Sequence, residues 1–225
     1  MNAFDQSILS PLNHLAGHFW KLDFALFSLS DNEMMKGGLF MVALWALWFR
    51  SRNPHSRQLV IATLLGAFLA VVLGKCLEHI LPLRIRPYQA DLPGLFFPYD
   101  MGLEDQTSFP SDHATLFFAL ATGLFYCHRT IGLSAFLYAT FFICLPRIYL
   151  GLHYPSDILV GAGLGIASAI FTQSALIQRH LSIRLITLSF NHPGLFYPLL
   201  FFVTFEVATL FDGLRDLARL AHILV

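Results

Sequence analysis

From Gln58 to Leu81 the chain is almost wholly apolar, with its charges confined to Lys75 and Glu78 near the end. A helix rises about 1.5 Å per residue, so this run reaches across the roughly 30 Å of hydrocarbon in a bilayer. It has company: 34–49, 111–127, 131–149, 155–177 and 195–211 are apolar stretches divided by short polar breaks. The chain is 56% hydrophobic and 12% charged, where soluble domains carry about 25% charge, so it falls in the membrane class. The expected fold is all-α, an integral membrane helical bundle of about six transmembrane helices. Residues 8–30, broken by Pro11, Asn13, His14, His18, Lys21 and Asp23, read as an interfacial or shallow re-entrant helix. The chain then forms one domain over 1–225, with an N-terminal segment 1–33, a catalytic core 34–178, and a further span and tail over 179–225.

Zero net charge removes nucleic acid from the expected partners. Cys76, Cys127 and Cys144 lie in or beside apolar segments without CxxC spacing, which fits buried thiols and neither a disulfide framework nor a zinc site. The N-terminus lacks the basic stretch and apolar core of a cleavable signal. Gly161, Gly163 and Gly165 suit close helix approach, and the tail from Asp212 reads as a short amphipathic helix. Glu206 in the last span reads as a bundle-facing structural group.

Arg50, Arg52 and Arg57, and later Arg129, Arg179 and Arg184, fall on one side if the spans alternate, and the positive-inside rule makes that side cytoplasmic. The 83–110 loop and the 147–157 connection then share the outer face of the plasma membrane. Arg84, Arg86 and Arg147 break the charge rule there, as a working anion site would. Arg84 also reads as a cation snorkelling at the interface.

Three polar clusters meet on that face. In the first, Lys75 and His79 stand one turn apart on the second span, ahead of Arg86-Pro87. In the second, Pro110-Ser111-Asp112 caps the third span and places His113 at the mouth of an apolar helix, where free N–H groups favour anions. In the third, Arg147 precedes His153 and Asp157; in the first turn of the fifth helix Asp157 reads either as a carboxylate that compensates the helix dipole or as the acceptor for one ring nitrogen of His153 while the other attacks. Arg147 offers a planar fork for phosphoryl oxygens. The apolar patch Leu95-Phe96-Phe97-Pro98-Tyr99 suits either guidance of a lipid chain or anchoring of the loop.

In order and spacing, His79-x6-Arg86-Pro87, Pro110-Ser111-Asp112-His113 and Arg147-x5-His153-x3-Asp157 resemble the three signature motifs of the type 2 phosphatidic acid phosphatase (PAP2) superfamily. The resemblance implies a membrane lipid phosphatase. His153 would be the nucleophile, Asp157 would orient it, and His113 would protonate the leaving oxygen. Arg86, Arg147, Ser111 and the Asp112 backbone would hold phosphoryl oxygens, with no metal and no cofactor.

Three positions depart from the family pattern: His79 stands where lysine is usual, Asp112 where glycine is commonest, and Pro146 where serine is usual. Either His79 or Lys75 would then supply the phosphate-binding cation. The aspartate resembles undecaprenyl-diphosphate phosphatases, so the expected substrate is a lipid phosphate or diphosphate, undecaprenyl diphosphate first. The alternatives are a lipid-phosphate phosphotransferase and a non-catalytic anion-binding membrane protein. The oligomeric state is not encoded in any of these features.

Overall fold

The computed structural model describes residues 1–50, 53–90, 92–97 and 107–211, and among them every regular element is helical. Arg52, Pro98, Tyr99 and the tail from Asp212 lie outside the described residues. Two short helices come first, α1 (Ala3–Asn13) and α2 (Trp20–Asp31), turned by Gly17 at φ +79°. A π-helical turn, Met34–Gly38, runs into α3 (Leu39–Arg50). Then follow α4 (Pro54–Ile80), α5 (Asp112–Cys127), and α6 (Arg129–Tyr138), which continues through a π-helical turn (Ala139–Cys144) into α7 (Leu145–Tyr149). The chain closes with α8 (Pro155–Thr172), the single turn α9 (Ala175–Ile177), α10 (Ile183–Asn191) and α11 (Pro193–Ala208).

Among the described residues, three helices are long and apolar enough to cross a membrane: Pro54–Ile80, the continuous Arg129–Tyr149, and Pro155–Thr172. The boundaries follow local chemistry. Asn53 caps α4 by accepting from the His55 N–H at 3.0 Å, and Pro54 and Pro155 occupy first turns, where a missing N–H costs nothing. The expected fifth span, 155–177, ends early: Ser174 breaks it after Thr172. α10 lies between the fifth and sixth apolar stretches, where the sequence pattern marks no helix.

At the centre, α4, α5 and α8 pack through small side chains, with Ala70, Ala119 and Ala169 meeting where the three helices touch. Gly161 and Gly165 face the backbone of α5 at Ser111 and Thr115, so any Cβ there would collide with a main-chain oxygen. Gly163 faces open space and plays no part in that approach. Close backbone contact of this kind is how helices associate where lipid removes the hydrophobic drive between them. It also fixes the ends of α5 and α8 against each other: the Ser111 N–H donates to the Asp157 carbonyl at 3.3 Å.

Candidate active site

α5 and α8 begin side by side, and each opens with a polar cluster. Ser111, fully buried, caps α5 by accepting from the Ala114 N–H at 3.4 Å. The next residue turns its carboxylate onto His113: Asp112 Oδ1 accepts from the His113 backbone N–H and stands 2.8 Å from His113 Nδ1. Nδ1 thus carries a proton toward Asp112. The other ring nitrogen, His113 Nε2, is buried and meets no hydrogen-bond partner among the described residues. The Asp112 carboxylate is thus engaged by the histidine.

His153 is set by a tight turn rather than by a helix. Gly151 adopts φ +71°, and the N–H groups of Leu152 and His153 both return to the Arg147 carbonyl at 2.9 and 3.3 Å. The loop therefore folds back on the end of α7 and brings the arginine and the histidine together. His153 Nδ1 donates to the Ser108 carbonyl at 2.7 Å, which leaves Nε2 as the basic nitrogen. Burial, and then the charge of Arg86, hold this ring well below its ordinary pKa, so it is neutral.

The expected partner of His153 differs. The Asp157 carboxylate stands 3.9 Å from His153 Nδ1, beyond hydrogen-bonding distance. It instead accepts from the Tyr154 N–H at 2.8 Å and pairs with Arg84. A carboxylate in the first turn of α8 satisfies that helix's own free N–H first, and a backbone carbonyl from the preceding loop takes the imidazole.

Arg84, which reads equally as a snorkelling cation and as part of an anion site, is the hub of a part-buried network. Its guanidinium pairs with Asp157, bonds Ser156 Oγ at 2.9 Å and Asp5 Oδ2 at 2.8 Å, and lies 4.2 Å above the Tyr154 ring. Asp5, fully buried in α1, also accepts from the Ser156 N–H at 2.8 Å and from its hydroxyl at 2.9 Å. The N-terminal segment is therefore bonded directly to the helix that carries Asp157.

Two more arginines border the histidines. Arg86 is buried and donates to the Leu152 carbonyl at 2.9 Å and the Thr107 carbonyl at 3.2 Å, and burial lowers its pKa from the ordinary value. Arg147 is buried and donates to the carbonyls of Ile143 at 3.1 Å and Ser30 at 3.4 Å. Of the expected phosphate cations in α4, Lys75 is partly exposed and paired with Glu78 at 2.5 Å, and His79 is exposed on the last turn. Neither joins the buried group. Ligand atoms of Asp112, His113 and His153 lie within 4.8 Å of one another, close enough to hold a cation.

Asp5, Ser108 and Ser156 were missed as site-forming residues, whereas Arg84 was flagged with Arg86 and Arg147 as a cation on the outer side. Glu206 is buried in the bundle, as its reading required.

The PAP2 superfamily pattern matches residues 58–180. The chain is 31% identical to the bacitracin transport permease protein BcrC of Bacillus licheniformis, over 71% of this chain and 74% of that one. It is 25% identical to the undecaprenyl-diphosphatase BcrC of Bacillus subtilis, over 68% and 74% of the two chains. The crystal structure of Aquifex aeolicus LpxE superposes with a TM-score of 0.59 at 27% identity, covering 76% of this chain and 95% of that one. With its paired histidines, buried arginines and helical frame, this chain is a membrane phosphatase belonging to the PAP2 superfamily.

Proposed function

We propose that this protein hydrolyses a polyprenyl diphosphate, undecaprenyl diphosphate foremost, through a phosphohistidine on His153. The observation that carries the reading is the division of labour between two imidazoles. His153 presents Nε2 because Nδ1 is held by the Ser108 carbonyl, and His113 presents an unpartnered Nε2 because Nδ1 faces Asp112. His153 Nε2 attacks the terminal phosphorus and forms an N–P bond. The bond from phosphorus to the leaving oxygen breaks, and His113, protonated once the anion is bound, gives that oxygen a proton. Water then gives its proton to His113 and attacks the phosphorus, which releases inorganic phosphate and frees His153.

Arg86, Arg147, Ser111 and the Asp112 backbone are assigned to the phosphoryl oxygens, since positioning and charge are what phosphoryl transfer chiefly demands. Asp157 acts through Arg84 and the start of α8, and its contact with His153 is electrostatic. His79 and Lys75 are assigned to the rim. The substrate follows from the relatives' named activity and from a site at the mouth of apolar helices, where a lipid tail remains in the bilayer. Six spans are proposed (34–50, α4, α5, α6–α7, α8 and α11) in a single domain, with the site on the outer side of the membrane.

The cluster of Asp112, His113 and His153 favours a second reading, in which a divalent cation activates water. Phosphate release by the purified chain in detergent, from undecaprenyl diphosphate and phosphatidate, separates the two. Turnover that persists in chelator and disappears in His153→Ala supports the phosphohistidine. Turnover that is lost in chelator and restored by metal overturns it. Substrate loss without matching free phosphate identifies a phosphotransferase.

A further inference from the structure

Lys36 lies at the top of the first apolar segment, yet it is buried, with 6% of its surface exposed. An ammonium at such a place points to a function. Its recorded partner is Glu33, three residues earlier, at 2.6 Å. That bond occupies one of three donors, while Glu33 Oε2 is buried and meets no donor among the described residues.

The helices place this pair beside the site. Lys36 is four residues ahead of Phe40, His113 is four residues ahead of Phe117, and the two rings touch at 5.1 Å between centroids. Lys36 sits in the π-helical turn that leads into α3 and His113 in the first turn of α5, so both lie on the N-terminal side of the same ring contact. The segment is held there independently, by Tyr138 donating to the Met35 carbonyl at 2.6 Å and by Arg147 donating to Ser30.

We propose that Lys36 is the subsite for the inner phosphate of a lipid diphosphate, bound on the leaving-group side of the reaction. This rests on the phosphohistidine reading above. When His153 takes the terminal phosphorus, the bond that breaks joins it to the bridging oxygen, which leaves on a lipid monophosphate. His113 supplies the proton to that oxygen, so the departing phosphate must lie beside His113. Lys36 turns a free donor to its non-bridging oxygens and offsets the charge that develops there. When a lipid monophosphate is the substrate, the leaving group is the neutral lipid alcohol, which makes no such contact, so Lys36 favours diphosphates over monophosphates.

The test compares farnesyl diphosphate with farnesyl monophosphate on the full-length protein in detergent, together with inhibition by inorganic pyrophosphate and by inorganic phosphate. In Lys36→Met, diphosphate turnover falls about tenfold more than monophosphate turnover, the effect of one lost charge-assisted hydrogen bond. Pyrophosphate inhibition weakens by a similar factor relative to phosphate. Lys36→Arg restores most of both ratios. Equal losses on the two substrates, with the two inhibitors also weakened equally, overturn the proposal and leave the phosphatase reading intact. A wild-type chain inactive on both substrates instead removes the phosphatase reading and this inference with it. If monophosphate is not a substrate, or Lys36→Met fails to fold, the inhibitor ratio in Lys36→Gln decides in the same way.

Discussion

Each of the two histidines is fixed by one oxygen, and the two oxygens are of different kinds. His153 rests on a carbonyl and His113 on a carboxylate. A carbonyl holds a neutral ring in one tautomer, which suits a nucleophile; a carboxylate also stabilises the protonated ring, which suits an acid. Asp112→Asn is therefore expected to lower kcat about 10- to 100-fold on a lipid diphosphate with little change in KM. On an aryl phosphate whose leaving oxygen needs no proton, the loss shrinks to a few-fold. Equal losses on both substrates would reduce Asp112 to a helix cap. For His153, the sign follows from burial. Its pKa is lowered, so between that value and the ordinary 6.5 the unfolded chain binds the extra proton, and stability rises with pH across that window. Ring nitrogen shifts of substrate-free protein, assigned by difference from His153→Asn, should report a neutral Nδ1–H tautomer at pH 6. An imidazolium there would contradict the assignment. Sequence spacing singled out both histidines as candidates, because the motif keeps them at fixed intervals. It misassigned the partner of His153, since the Ser108 carbonyl belongs to the main chain and leaves no trace in residue type.

Between elements, the clamp of Asp5, Arg84, Ser156 and Asp157 joins α1, the loop after α4, and α8. Asp5 and Asp157 are both fully buried, and Arg84 is the cation set between them. Removing one partner of such a group leaves charge stranded, at a cost of about 3 kcal/mol. Arg84→Met should lower the melting temperature in detergent by several degrees and reduce turnover, because the start of α8 loses its anchor. Asp5→Asn in that background should recover part of the stability, since it removes one stranded carboxylate. Unchanged melting in Arg84→Met would show that the clamp carries no energy. This part of the site was illegible in the sequence for a physical reason: Asp5 and Arg84 are far apart in the chain, and no periodicity links an acidic residue on an amphipathic helix to an arginine in a distant loop. The central packing was more legible, as Gly161 and Gly165 mark the face of α8 that meets α5.

For the whole molecule, the number of membrane crossings turns on α11. At about 1.5 Å per residue α4 exceeds the roughly 30 Å of hydrocarbon, while α11 falls short of it. Length alone would exclude α11, but its packing argues otherwise. Near its start, Phe196 stacks on Trp48 at 5.6 Å, at the far end of α3, and near its finish the Ala208 backbone closes on Gly37, at the near end. α11 therefore runs antiparallel to the 34–50 helix over almost its whole height, and whatever thickness one crosses the other crosses too. Hydropathy found both segments but could not show that they are matched. With six crossings, Leu83 and His55 lie on opposite sides, at the two ends of α4. Single-cysteine variants at these exposed positions, with Cys76, Cys127 and Cys144 replaced by alanine, separate the topologies in intact cells. A membrane-impermeant maleimide should label Leu83→Cys directly and His55→Cys only after permeabilisation. The reverse pattern would turn the site to the cytoplasm, and labelling of both in intact cells would mean that α4 does not span. A third position, Leu195→Cys at the start of α11, carries the decision on six crossings: it should label with His55→Cys. If it labels with Leu83→Cys, α11 does not run as the packing with α3 requires, and the antiparallel match fails as an argument for a sixth span.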